Sequence, residues 1–402
     1  GAPMALDNRY AMEDLLQTMR QASLSQGRDL FVIDPRGTGL ARPLLGCQTF
    51  IDGERKRFLQ NLSLRQTEES ISADYRECIE LLLLDGVDFS AYNSFMIARD
   101  VEALRQAADI DQWVLFGVSY AANYALAIAN EFPDAVESMV LDSAYVSRVG
   151  RHEYYLEQMT RPYRLLFRYC SIDPECEQPV DNIGPRFWAV YQSLNANPIG
   201  IELNSRSDNI PLLLNGERFL EVIQGGSYSL DIYKDIARIV GELENREYSS
   251  LEPYLWMHVD YMLDPTWGDV GAMAHYCYEE KSNIDFATIR TLIKQLPEGY
   301  LRDTAAIKLD WPDLCAEMKV VETTKRLIPS RALDQPTLFL HGKLDTVTPL
   351  SSVHKIRRYF NRDYLLTFDL AHSILSASRC ARDTMAKFVD KPSASEKSLR
   401  CD

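Results

Sequence analysis

The segment Gly117-Val118-Ser119-Tyr120-Ala121 constrains this chain more than any other. Before it, Gln112–Phe116 (QWVLF) reads as a short buried strand. After it, Ala121–Asn130 (AANYALAIAN), rich in alanine with a leucine and an isoleucine, reads as a helix. A serine on the sharp turn between such a strand and helix projects its hydroxyl above the sheet. This is the geometry of a nucleophile elbow, and small residues are needed where the turn backbone is crowded. Glycine fills the first small position and Ala121 the second.

Two later strands carry the residues such a serine requires. Gln335–His341 (QPTLFLH) reads as a buried strand running into Gly342-Lys343-Leu344-Asp345, so Asp345 sits just past its C-terminal end. Asp363–Asp369 (DYLLTFD) leads into Ala371-His372-Ser373. Sites in open α/β sheets gather beyond the carboxyl ends of the strands, where all three residues can converge. Serine, then aspartate, then histidine, each after its own strand, is the α/β-hydrolase chain order. Asp142 also follows a strand, Ser138–Asp142 (SMVLD), and is the alternative acid. His341 ends a strand and is expected to pack within the fold; His354 falls on a helix.

Four stretches resemble the proline iminopeptidase and tripeptidyl aminopeptidase group of α/β-hydrolases. Asp34-Pro35-Arg36-Gly37-Thr38-Gly39 is similar to its D-x-R-G-x-G turn, and Gly117-Val118-Ser119-Tyr120 to its G-x-S-Y elbow. Leu338–Pro349 (LFLHGKLDTVTP) resembles its aspartate loop, and Cys277-Tyr278-Glu279 the C-x-E of its cap. The resemblance implies an α/β fold, a mostly parallel sheet with an inserted, mainly helical cap. The group's G-G-P-G loop, which supplies an oxyanion donor, has only Gly1-Ala2-Pro3 opposite it, and the first strands expected of the fold are missing from the chain.

Roles follow from that resemblance and from the chemistry of the side chains. A serine hydroxyl is a poor nucleophile at neutral pH and needs an adjacent base. The expected catalytic residues are Ser119, His372 as that base, and Asp345 to orient the imidazole. The backbone N–H groups of Tyr120 and of Ala2 are the expected oxyanion donors. An aminopeptidase must also bind a free α-ammonium, which carboxylates do by charge-assisted hydrogen bonding. Glu279 holds the C-x-E position, and Glu280, Glu153 and Glu157 are further candidates. Glu153 and Glu157 share one helix face, as a solvated helix surface also allows. Arg36 is expected to anchor its turn through a buried ion pair.

Eight cysteines allow about 105 pairings. The resemblance supports neighbours: Cys47 with Cys78, Cys170 with Cys176, Cys277 with Cys315, Cys380 with Cys401. No tight Cys/His cluster is present, so neither metal nor cofactor is expected. The even count fits an oxidising compartment, secreted or periplasmic.

The organisation expected is a first core segment (1–148), a helical cap (149–331), and a second core segment with a C-terminal tail (332–402). The first segment carries a strand at Arg28–Asp34 and helices near Glu68–Leu84 and Ser94–Ala108. The cap carries helical patterns over Arg151–Arg168, Arg218–Leu243 and Tyr248–Met262, with a polar loop at Asn204–Asn215. With 402 residues and a net charge of −15, the chain has room for a domain and an insertion, and lacks the basic patches that nucleic acid requires. No apolar run reaches the roughly 18 residues of a membrane span. The function expected is a serine exopeptidase releasing N-terminal residues from short peptides; the alternative is a carboxylesterase with the same triad. The small peptide or ester substrate is the expected partner.

Overall fold

Four parallel strands with apolar side chains on both faces form the central sheet of this computed structural model. The structure describes residues 27–147, 151–172, 183–204, 209–281, 284–296, 299–309, 313–321, 323, 327 and 332–392. Helices α1 (Gln48–Phe58), α2 (Leu64–Leu84) and α3 (Ser94–Ala107) come first. α2 starts where Ser63 and Gln66 cap each other reciprocally, and α3 where the Asn93 side chain accepts from the N–H groups of Phe95 and Met96. β1 (Trp113–Val118), α4 (Ala121–Glu131) and β2 (Val136–Asp142) follow.

The next stretch is mainly helical: α5 (Arg151–Ile172), α6 (Ile183–Ala196), the hairpin β3 (Ile199–Asn204) and β4 (Asn209–Leu214), α7 (Gly216–Gly226), α8 (Asp231–Glu244), α9 (Glu252–Met262) and α10 (Asp269–His275). A π-helical turn, Tyr276–Glu280, precedes α11 (Phe286–Ile293), α12 (Tyr300–Leu309) and α13 (Leu314–Glu317). The chain then returns to the sheet with β5 (Thr337–Gly342), α14 (Leu350–Ile356), β6 (Asp363–Phe368), α15 (Ile374–Ala377) and α16 (Arg379–Asp390).

The sheet order is β1-β2-β5-β6, all parallel. Successive side chains alternate between its faces. Met139, Leu141 and Phe339 pack with Ala98 of α3 and Ala122 and Leu126 of α4. Val140, Leu338 and Leu340 pack with Met385, Phe388 and Val389 of α16. Each large apolar side chain so buried contributes roughly 1.5–3 kcal/mol, and the pairing of β2 with β5 fuses two distant parts of the sequence. A second core gathers Phe187, Leu212, Leu214, Phe219 and Tyr233 from the helical stretch, with Phe58 and Ala371 reaching in from either side.

Cys47 bonds Cys78, joining the start of α1 to α2, and Cys277 bonds Cys315, joining the π-helical turn to α13. Cys170 and Cys380 are also disulfide-bonded; their expected partners, Cys176 and Cys401, lie outside the described residues, as do the boundaries expected near 149 and 331.

Three expectations are corrected. Arg28–Asp34 is not a strand. Side chains tie it down instead, through the Arg28–Glu137 ion pair and Phe31 edge-on to Trp113, and no ladder forms. Leu30, Phe31 and Ile33 remain 42–46% exposed. The polar loop expected at Asn204–Asn215 contains β4, whose Ile210, Leu212 and Leu214 turn inward; Pro211 is tolerated because a two-stranded hairpin is all edge. The helix expected over Arg218–Leu243 is two helices, broken between Gly226 and Asp231.

Candidate active site

The elbow is crowded as its sequence demands. A Cβ on Gly117 would lie 2.9 Å from the Ala121 carbonyl oxygen, so only glycine lets α4 fold back against β1. Ser119 sits in the left-handed region, φ 55°, a conformation that costs a non-glycine residue free energy and concentrates at functional turns. Its N–H donates to the Asp142 carbonyl at 2.9 Å, and its carbonyl accepts from Tyr145 N–H at 3.0 Å. Among the described residues nothing accepts a hydrogen bond from the Tyr120 backbone N–H, at the start of α4. Ala2, the other expected oxyanion donor, lies outside the described residues.

Asp345 and His372 meet. His372 Nδ1 is 2.9 Å from Asp345 Oδ2, with the carboxylate fully buried and the His372 side chain 5% exposed. Asp345 Oδ1 accepts from the N–H groups of Val347 and Thr348, and Oδ2 accepts from Thr348 Oγ1 at 2.7 Å. Burial alone would raise the Asp345 carboxyl. The neighbouring His372 imidazole and these donors outweigh burial and hold it below the usual aspartate range. Arg161 of α5 donates to the Asp345 carbonyl, and His372 N–H donates to the Tyr228 carbonyl, freed by the break between α7 and α8. Gly342 lacks the Cβ that would collide with the Ala371 carbonyl, so the His372 loop crosses directly over the end of β5. Among the described residues no hydrogen bond joins Ser119 to His372; their loops connect through Asp142 and Ser143. Apo catalytic hydrogen bonds are often long and tighten with substrate.

His341 is packed as expected, fully buried, its Nε2–H donating to the Thr348 carbonyl at 2.6 Å. Asp142 is fully buried, and among the described residues no hydrogen bond joins its carboxylate to the imidazole. Its carboxylate accepts from the N–H groups of Ile374 and Leu375.

Glu279 and Glu280, on the π-helical turn, are buried beside the elbow. Glu279 accepts from Ser94 N–H, Ser94 Oγ and the Tyr120 hydroxyl; Glu280 accepts from the Tyr145 hydroxyl and Ser147 Oγ. The Tyr120 and Tyr145 rings stack, 5.6 Å between centroids. Burial, then the Glu279 and Glu280 carboxylates, push the Tyr120 phenol well above its ordinary pKa, so it stays a donor. The side chains of Glu153 and Glu157 on α5 are outside the described residues. Arg36 does anchor its turn, through Asp100 and the Ala91 carbonyl, yet the pair is partly exposed rather than buried. Thr348, Ser143 and Tyr228 were not singled out from sequence; of these only Thr348 carried a signal, the T-P of the aspartate loop.

Known proteins align with these features. The alpha/beta hydrolase fold family matches residues 6–161, and the family described as TAP-like protein matches residues 305–401. Over 122 residues, 29% of this chain, the sequence is 30% identical to Serine protease Hip1 of Mycobacterium tuberculosis and of Mycobacterium bovis. That stretch is 23% of those proteins, so the match spans about a quarter of the curated relatives' length. Among solved structures, MGS-M2, an alpha/beta hydrolase from a Medee basin deep-sea metagenome, is 13% identical with TM-score 0.36, covering 76% of this chain and 74% of its own. A thermophilic esterase from Thermogutta terrifontis is 11% identical with TM-score 0.30, covering 75% and 74%.

The chain is an α/β-hydrolase. Within that fold, its elbow, its aspartate loop and its TAP-like C-terminal region support a tripeptidyl aminopeptidase-like group. Its disulfides fit an oxidising, non-cytoplasmic compartment. Among the described residues no helix is long and apolar enough to cross a membrane.

Proposed function

We propose that this chain is a serine hydrolase acting as an exopeptidase, releasing N-terminal residues from short peptides. The observation that carries the reading is the buried Asp345–His372 pair, set in loops tied to the left-handed Ser119 turn. Ser119 Oγ attacks the scissile carbonyl while His372 takes its proton. His372 then protonates the departing amine, and water hydrolyses the acyl-enzyme by the same route. Asp345 holds Nδ1–H and so keeps Nε2 as the base. The Tyr120 N–H, with a second donor assigned to Ala2, stabilises the oxyanion. Glu279 and Glu280 supply negative charge beside the elbow for a substrate ammonium, with Glu153 and Glu157 as further candidates. A secreted or periplasmic location fits the disulfides, and the helical stretch over the strand ends favours small substrates.

A carboxylesterase using the same triad is the second reading. The engagement of Glu279 with Ser94 and Tyr120 favours it, since an ester needs no ammonium receptor. The test is turnover of aminoacyl and tripeptidyl amides against short-chain nitrophenyl esters, with Ser119→Ala as control. Ser119→Ala is expected to abolish turnover and fluorophosphonate labelling while leaving the fold intact; undiminished labelling would eliminate the assignment. Amide turnover selects the exopeptidase, and ester turnover without it the esterase.

A further inference from the structure

The turn after β2 touches all three loops of the site. At Asp142, the backbone carbonyl accepts Ser119 N–H, fixing the elbow. Its carboxylate accepts Ile374 N–H on Oδ1 and Leu375 N–H on Oδ2, both at 2.9 Å, two and three residues past His372. Ser143 Oγ donates to Asp142 Oδ1 at 3.0 Å and accepts from Ser373 N–H at 2.9 Å. The Ser143 carbonyl lies 3.1 Å from Thr348 Oγ1, whose single proton goes to Asp345 Oδ2 at 2.7 Å. Both residues are fully buried. Ser143 (φ 49°) and Ser373 (φ 61°) are left-handed, like Ser119. Side chains held in that region persist where their surroundings over-determine them, and here the hydrogen bonds between the two turns do so.

We propose that Asp142 and Ser143 form the positioning element of this site, with Asp142 holding the His372 loop by its backbone so that the imidazole meets Asp345 and faces Ser119. The inference rests on the triad reading above. Asp142 touches no reacting atom; it acts through the loop. A carboxylate suits the task because it offers acceptors to two N–H groups and one hydroxyl at once, while an amide of the same shape turns a donor toward one of those N–H groups.

The test uses Asp142→Asn and Ser143→Gly, the latter keeping the left-handed backbone while deleting the hydroxyl bridge. Steady-state hydrolysis of p-nitrophenyl acetate is measured per active site, counted by fluorophosphonate titration, together with the labelling rate of Ser119. Misplacing the base by a fraction of an ångström lowers kcat and the labelling rate in Asp142→Asn by roughly ten- to a hundredfold, with KM unchanged. Ser143→Gly shifts the same two quantities in the same direction, less far. A purely structural role lowers the number of active sites and leaves turnover per site at the wild-type value; that result overturns the proposal. If Asp142→Asn does not fold, Ser143→Gly decides alone. Absence of labelling at Ser119 in the wild type sinks the triad reading and this inference together, whereas normal labelling with unaltered rates in both variants sinks this inference only.

Discussion

Two aspartates stand at the carboxyl ends of adjacent strands, and their environments diverge. Asp142 closes β2, in register with Leu340 of β5; Asp345 follows β5 by three residues. Both are fully buried, and each carboxylate accepts two backbone N–H groups and one hydroxyl. Their sources differ. Asp345 is clamped by its own loop, Val347 and Thr348, leaving Oδ2 in reach of His372 Nδ1. Asp142 spends its oxygens on the loop that follows His372. Their pKa values move apart accordingly. Burial pushes Asp142 up, only partly opposed by its donors, while the His372 imidazole and the loop amides overcome burial at Asp345. Burial and charge therefore do not identify a triad acid. A carboxylate satisfied locally and still aimed at the imidazole does.

The sharpest way to break this comparison is Asp345→Asn. An amide at that position presents a donor to Nδ1 and favours the wrong tautomer, so kcat is expected to fall by about 10³–10⁴ with little change in KM. That loss exceeds the one expected for Asp142→Asn. Side-by-side kcat measurements check it: an Asp142→Asn enzyme slower than Asp345→Asn would reverse the two assignments.

A third buried carboxylate, Glu279, sharpens the contrast because its donors come from Ser94 and Tyr120, on other elements entirely. Glu279→Gln keeps the size and one acceptor but removes the charge. A desolvated hydrogen bond to a charged group is worth about 1.5–3 kcal/mol, so kcat/KM for peptides with a free N-terminus is expected to drop at least about tenfold. Nitrophenyl esters have no ammonium and are expected to be spared. Equal losses on both substrates would mean that Glu279 shapes the elbow without reading an amine.

How much of this was legible in the sequence depended on the range of the interaction. The elbow, β1 and α4 are local patterns, and apolar runs at 338–341 and 363–368 announce strands whatever their partners. Asp345 and His372 followed from chain order, because each strand delivers its next loop to the same sheet edge. Arg28–Asp34 looked like a strand because Leu30, Phe31, Val32 and Ile33 form an apolar run within it, but a strand exists only where a neighbour supplies the ladder. β4 was hidden by Pro211 and the asparagines at its ends. The α7–α8 break lay inside an unbroken helical period, marked only by Gly225-Gly226. The work of Asp142 was invisible, since its N–H donors lie 232 and 233 residues away along the chain.

The smallest expected effect separates the two aspartates by sign. Asp345 has its folded pKa lowered, so its ionised form adds stability that is present above the unfolded value, about 3.9, and lost as pH falls through the folded one. Asp142 has its folded pKa raised, so the fold favours its protonated form, and acidification through the window above about 3.9 relieves a cost. Unfolding free energies of wild type, Asp345→Asn and Asp142→Asn, taken by denaturant between roughly pH 3 and 7, are expected to diverge with slopes on the order of 1 kcal/mol per pH unit or less. On acidification the advantage of wild type over Asp345→Asn shrinks, and its advantage over Asp142→Asn grows. Lost hydrogen bonds shift each variant's curve by a constant and do not affect these slopes. Slopes of the same sign for both variants would show that the two carboxylates share one electrostatic environment, and the distinction drawn between the ring-orienting and the loop-holding aspartate would then fail.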